Sequence, residues 1–154
     1  MLNIVLYQPE IPPNTGNVIR LCANIGARLH LVGPLGFHLD EASVRRAGMD
    51  YRELADVRQY PDWKSYVELN EQTRTWAFST RGTRFHAAAS FRRGDALLFG
   101  PESRGLPREV LDEIGQQRIL RLPMRDGSRS VNLSNAVAAG AYEALRQLDF
   151  EGLR

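Results

Sequence analysis

Short apolar runs rich in β-branched residues alternate along this chain with stretches whose apolar positions recur every three or four residues. Leu2–Tyr7 is such a run, ended by Gln8-Pro9 and Pro12-Pro13, and predicts a strand. Asn14 is a good cap residue and Gly26 a good stop, so a helix is expected between them. Inside it Val18, Leu21, Cys22 and Ile25 fall at i, i+3, i+4 and i+7 and form one buried face. Arg28–Val32 predicts the second strand. After the turn Gly33-Pro34-Leu35-Gly36, Asp40 is expected to cap a short helix that carries Val44, Arg45 and Arg46 and ends at Gly48.

The same pattern continues through the second half. A short strand is expected at Leu54–Val57, then a helix with Pro61 in its first turn running to about Leu69. Strands follow at Arg74–Ser79 and Asp95–Phe99, a helix from Pro107 to about Ile114, and a strand at Ile119–Leu122. The last helix should run from about Asn132 to Leu148. Leu133, Val137, Ala141, Leu145 and Leu148 make its apolar stripe, while Ala136, Ala138, Ala139, Gly140 and Ala144 keep the rest slim. A slim helix suits close approach to the sheet and to another subunit equally. Repeated strand–helix alternation predicts an α/β fold with a mostly parallel sheet flanked by helices. With no repeat, linker or shift in composition, the 154 residues read as one domain spanning 1–154.

Composition narrows the class. A hydrophobic fraction of 43% with 25% charged residues excludes disorder as the main state. The longest uncharged stretch, Ser130–Tyr142, is 13 residues, too short for a spanning helix, so no membrane is expected. The N-terminus has no basic leader, and Cys22 is the single cysteine. A cytoplasmic, reducing location is expected. Of the 20 basic residues 19 are Arg, and residues 74–129 hold 11 Arg against 6 acids. Guanidinium forks suit phosphates, so a polyanion partner is plausible beside the plainer reading of a solvated basic surface.

Three loops after expected strands combine Gly or Pro with polar groups. The first is Asn14-Thr15-Gly16-Asn17-Val18-Ile19-Arg20; taken alone, a helix cap and a surface arginine account for it. The second is Leu97–Leu106, where a buried strand runs into Gly100-Pro101-Glu102-Ser103-Arg104-Gly105. In open α/β sheets ligands sit outside the carboxyl ends of strands, where this loop lies. A tight turn with Glu102 paired to Arg104, or capping the next helix, is its plainer reading. The third holds Leu122-Pro123-Met124 and then Ser128–Ala136; exposed amides near a helix start, with Ser130 and Asn132, suit a polar ligand. No dinucleotide or Walker fingerprint is present. His30, His38 and His86 are not at metal-ligand spacings and one cysteine makes no zinc site, so no metal is expected. Each histidine reads as structural or surface, and Cys22 as core.

Taken in order, these loops resemble the SPOUT superfamily of S-adenosyl-L-methionine-dependent RNA methyltransferases. The likeness is greater still to its small single-domain tRNA wobble-nucleotide 2'-O-methyltransferases. Leu2–Tyr7 with Pro9-Glu10-Ile11-Pro12-Pro13-Asn14-Thr15-Gly16-Asn17, then Arg45-Arg46-Ala47-Gly48, then the two later loops carry it, across Met1 to about Leu148. The resemblance implies a C-terminal deep trefoil knot and a homodimer packed through the last helix, which would account for that helix's slim surface. It implies S-adenosyl-L-methionine held by Phe78, Gly100, Leu122, Ser130 and Leu133. It assigns the central catalytic role to Arg20, with Asn14, Glu102 and Asn132 around it.

The reaction so implied is methyl transfer to the ribose 2'-hydroxyl of nucleotide 34, a cytidine or 5-carboxymethylaminomethyluridine, in tRNA-Leu-type substrates. With no added RNA-binding domain, the anticodon loop would be held by the protein surface, and Arg45, Arg46, Arg104 and Arg129 are the candidates. Two alternatives stand beside it. One is a SPOUT methyltransferase acting on ribosomal RNA or another tRNA site, the other a non-catalytic RNA-binding module.

Overall fold

The computed structural model describes residues 1–46 and 56–154. In chain order the elements are β1 (Asn3–Tyr7), α1 (Pro12–Ile25), β2 (Arg28–Val32), α2 (Glu41–Arg46), β3 (Val57–Tyr60) and α3 (Trp63–Leu69). There follow β4 (Thr75–Phe78), β5 (Arg84–Phe85), β6 (Ala96–Phe99), α4 (Arg108–Ile114), β7 (Ile119–Arg121) and α5 (Leu133–Gln147). Among the described residues the strands form a seven-stranded sheet in the order β3-β2-β1-β6-β4-β7-β5. Every pairing is parallel. The expected α/β fold with a parallel sheet flanked by helices is therefore the observed one.

The unbroken apolar runs are explained by cover on both faces, as parallel sheets require. One face sends Ile4, Leu6, Trp76, Phe78, Leu97, Phe99 and Leu120 against α1 and α5, which bury Val18, Ile19, Cys22, Leu133, Val137 and Ala141. The other sends Val5, Ala77, Ala96, Leu98 and Ile119 against Tyr66 of α3 and Val110, Leu111 and Ile114 of α4. Alternation along β6 splits Leu97 and Phe99 from Ala96 and Leu98, so one residue of slip would exchange the two cores.

Several boundaries differ from expectation for identifiable reasons. Asn14 is not the cap of α1: the helix begins at Pro12, with Ile11 as N-cap and prolines in its first turn. Pro12-Pro13 opens the helix and does not merely end β1, because proline's missing N–H costs nothing in a first turn. Likewise Pro61 lies before α3, whose cap is Asp62, accepting from the Ser65 amide at 2.8 Å. Strand β3 is later than expected, and the expected positions Gly48 and Leu54 lie outside the described residues. The two-residue β5 went unforeseen because it is too short to show periodicity.

Part of the slim surface of α5 is spent inside the chain, at Gly140 and Ala144, while Ala139 stays exposed. A methyl group added at Gly140 would lie 2.8 Å from the Phe78 ring, and Ala141 and Ala144 are fully buried. That close approach lets Phe78 stack on Phe99 at 4.6 Å beneath the helix.

Candidate active site

The carboxyl ends of β4, β6 and β7 and the start of α5 enclose a cavity of about 680 Å³, within the range of small-molecule sites. Phe78, Phe99, Leu122 and Leu133 supply apolar wall, with Leu106 and Ala136 beside them. The loop from Gly100 to Leu106 forms another wall and is closed tightly on itself. The Gly105 amide donates to the Pro101 carbonyl at 2.9 Å. A Cβ on Gly100 would stand 2.3 Å from the Leu106 nitrogen, so only glycine permits this closure.

A polar chain ties that loop to the start of α1. Glu102 Oε2 accepts from the Glu10 amide at 2.8 Å, and its Oε1 from the Ile11 amide at 3.1 Å and Asn14 Nδ2 at 3.2 Å. The carboxylate thus satisfies amides at a helix entry that has no side-chain cap of its own. This differs from both plainer readings: Glu102 neither pairs with Arg104 nor caps the helix that follows. Asn14 passes the link onward, its Oδ1 accepting from Asn132 Nδ2 at 3.1 Å. Asn132 in turn caps α5, its Oδ1 accepting from Ser134 Oγ at 2.7 Å and the Asn135 amide at 3.3 Å. Three loops far apart in sequence are held together by one carboxylate and two amides.

A second clasp runs the opposite way. The Glu10 carboxylate accepts from the Ser103 amide at 2.9 Å and from its hydroxyl at 2.7 Å. These bonds hold the Glu10 carboxyl below its usual range, with Arg104 adding to the effect.

Asn14, Phe78, Gly100, Glu102, Arg104, Leu122, Arg129, Ser130, Asn132 and Leu133 all line the cavity. Arg20, Arg45 and Arg46 do not. Arg20 follows Asn14 by six residues, a rotation of roughly 240°, which leaves Asn14 buried toward the site and Arg20 on the exposed side of α1. Arg45 and Arg46 are exposed in the last turn of α2. Sequence reading missed Ser79, Thr80 and Arg81 after β4 and Arg121 at the end of β7, and it placed Met124 in a candidate loop without naming it as a site residue. A buried strand running into Ser79-Thr80-Arg81-Gly82 was the available signal. With Arg81 and Arg121 added to Arg104 and Arg129, four guanidinium groups ring the cavity. Its one carboxylate, Glu102, is already engaged by three donors.

Other candidates fall away on geometry. Cys22 is buried on the inner face of α1, and burial pushes its thiol up to about 12, so it is no nucleophile. His30 is a core residue. Among the described residues no group of side chains is placed to hold a metal ion, and no helix is long and apolar enough to cross a membrane.

A family model described as the SpoU rRNA Methylase family matches residues 1–142. The chain belongs to that family. It is 56% identical over 152 residues to the tRNA (cytidine(34)-2'-O)-methyltransferase of Aeromonas hydrophila subsp. hydrophila, covering 99% of this chain and 97% of the relative. A solved structure described as giving insights into the 2-OH methylation of C/U34 on tRNA superposes with a TM-score of 0.88 at 49% identity, covering 97% of each chain. An AdoMet-bound rRNA methyltransferase from Sinorhizobium meliloti shares the fold, with a TM-score of 0.82 at 24% identity over 96% of this chain and 56% of the other. The three loops of this SpoU-family chain, read as SPOUT-like from their residues, are the ones that meet at the cavity.

Proposed function

We propose that this chain, acting as one methyltransferase domain over residues 1–154, methylates the ribose 2'-hydroxyl of nucleotide 34 in tRNA. The target would be a cytidine or 5-carboxymethylaminomethyluridine in tRNA-Leu-type substrates, with S-adenosyl-L-methionine as methyl donor. The observation that carries this reading is the cavity itself, in which an apolar floor is ringed by four arginines at the carboxyl ends of parallel strands. The relatives' names agree with it.

The residues present fit the donor. Phe78, Phe99, Leu122 and Leu133 offer a surface for an adenine ring, and the closed Gly100–Leu106 loop and Ser130 offer backbone and hydroxyl groups to its polar edges. When bound, the donor supplies a methyl group already activated on a sulfonium. The protein's own task is to align the hydroxyl and manage its proton. A guanidinium stays protonated at neutral pH, so Arg20 serves by stabilising the developing alkoxide, while the proton leaves to a substrate phosphate or water. Asn14, Glu102 and Asn132 keep the three loops in register. Arg104 and Arg129 neutralise the backbone of the anticodon loop, with Arg45 and Arg46 extending that surface.

Knot, homodimer and a cytoplasmic setting belong to the same reading. The knot is supported by the sheet order, in which β7 is inserted between β4 and β5, two strands that are consecutive in the chain. The chain then runs on through Leu122 to Asn132 along the cavity. The dimer is supported by an exposed stripe on α5, Asn135, Ala139, Tyr142 and Arg146. Arg20 stands outside the cavity lining of its own chain, and in this reading a second copy brings its Arg20 to the site.

The deciding assay is transfer of labelled methyl groups to unmodified tRNA and to ribosomal RNA, with the product mapped by mass spectrometry. A 2'-O-methyl group at position 34, lost by 10²-fold or more with Arg20→Ala, is the expected result. Mixing Arg20→Ala chains with Asn132→Ala chains should restore part of the activity, because one of the two sites then has both residues. Methylation of ribosomal RNA alone would overturn the substrate. Absence of donor binding would leave the RNA-binding module.

A further inference from the structure

Gln8 occupies the point where the chain leaves β1, the strand whose neighbours β2 and β6 lead to opposite halves of the sheet. Its φ is 46°, in the left-handed region that glycine and asparagine enter easily and a longer side chain does not. The backbone there is anchored, the Gln8 amide donating to the Val32 carbonyl at 2.7 Å. A strained position that retains a long amide side chain calls for a use of that amide.

Both of its ends are engaged. Nε2 donates to the Tyr7 hydroxyl at 3.4 Å, and Oε1 accepts from Arg104 Nη2 at 2.5 Å. Arg104 is exposed and lines the cavity. Its loop is fixed to the same β1–α1 connection by the Glu10–Ser103 clasp. The loop backbone is therefore set independently, and Gln8 is what aims the guanidinium.

We infer that Gln8 is a positioning residue that holds Arg104 at the cavity mouth to receive a phosphate flanking the target nucleotide, and that the strained backbone is the cost of this aim. The inference rests on reading the chain as a tRNA methyltransferase. A free arginine side chain samples many rotamers, whereas one held by a carbonyl oxygen keeps its fork facing the RNA.

The test uses the full chain with Gln8→Gly, Gln8→Asn, Arg104→Ala and the Gln8→Gly/Arg104→Ala double variant, and an unmodified tRNA transcript. Gln8→Gly should raise KM for tRNA roughly five- to tenfold, with kcat within about twofold. Binding of S-adenosyl-L-homocysteine should be unchanged, and Tm unchanged or higher because the strain is relieved. Gln8→Asn, which tolerates the same φ with a shorter amide, should show the same rise in KM. The double variant should be no worse than Arg104→Ala alone. Each of the three single variants should lower the slope of log Kd against log salt by about 0.7, the share of one single-strand phosphate. An unchanged KM in the glycine and asparagine variants, or additive losses in the double variant, overturns the inference while wild-type turnover upholds the tRNA reading. A wild-type chain that neither binds nor methylates tRNA overturns both.

Discussion

Asp95 and Glu102 flank β6 at opposite ends of the sheet, and each collects several donors. Asp95 is 2% exposed. It accepts from Arg74 Nε at 2.8 Å and Nη2 at 2.6 Å, from Trp76 Nε1 at 3.0 Å and from the Arg92 amide at 2.8 Å. Glu102 is half-buried and receives only neutral donors, two backbone amides and the Asn14 side chain. Asp95 is thus locked by a charge-assisted fork to strands beside it, where nothing has to enter. Glu102 bridges loops that must leave an opening between them. The same chemical group secures the sheet at one end and shapes a cavity at the other, and the charge of its partners makes the difference.

The largest effect expected from this contrast is on stability at the Asp95 end. Asp95→Asn removes the charge facing Arg74 and turns one acceptor into a donor that meets other donors. It should cost about 3 kcal/mol, near the lower bound for a broken buried pair because Arg74 keeps some solvent. Denaturant unfolding measures this. Methyl transfer per folded molecule should stay near wild type, and a loss of turnover greater than the loss of folded protein would break the comparison.

Glu102→Gln is the complementary change. One of its oxygens becomes an amide that faces the Glu10 or Ile11 N–H, with a stability cost of about 1–2 kcal/mol. Methyl transfer should fall by roughly tenfold or more, since a small displacement of site loops is enough for that. Asn132 reports the same linkage through Asn14, so a crystal structure of the variant should show the 100–106 and 130–132 segments separated from α1. A variant that lost only stability would place Glu102 with Asp95.

The contrast also marks what the sequence made legible. The strand–helix alternation and the three polar loops could be read because periodicity and turn chemistry are local. Ten of the named residues meet at the cavity, several of them, Phe78 and Leu122 among them, named only through the family resemblance that those loops carry. The partner of Glu102 could not be read, because it lies about ninety residues away across the sheet. Arg81 escaped notice because it follows a strand that looks complete without it, and Arg121 because it was counted as part of the strand itself. The role of Pro12-Pro13 was legible and misassigned: the signals that stop a strand and open a helix coincide there. The rotation that sets Arg20 apart from Asn14 needs the true helical frame, which only the fold supplies.

The remaining effect concerns acid, and it too separates the two ends of the sheet. His30 lies buried between Asn3, at the start of β1, and Tyr60, with a ring nitrogen 2.9 Å from an oxygen on each side. Asn3 Oδ1 only accepts, so Nε2 carries the proton and Nδ1 accepts from the Tyr60 hydroxyl. The Asn3 side-chain amide also donates to the Gly94 carbonyl, next to Asp95, which makes His30 part of the network at that end. Burial first, and then Arg28 and Arg58, push its pKa down to about 4, against an ordinary value of 6.5. Between these values the unfolded chain binds more protons than the folded one. The stability due to neutral His30 is therefore complete above about pH 6.5, is lost as the pH falls toward 4, and falls no further below that. Stability measured from pH 7 to pH 4 should show this slope in the wild type, and His30→Phe should flatten it while lowering stability at pH 7. Because the network lies at the Asp95 end, donor binding per folded molecule should not follow the same curve. A parallel fall in both would mean that the two ends of the sheet are coupled, and that the division of labour between the two carboxylates is not the one drawn from their partners.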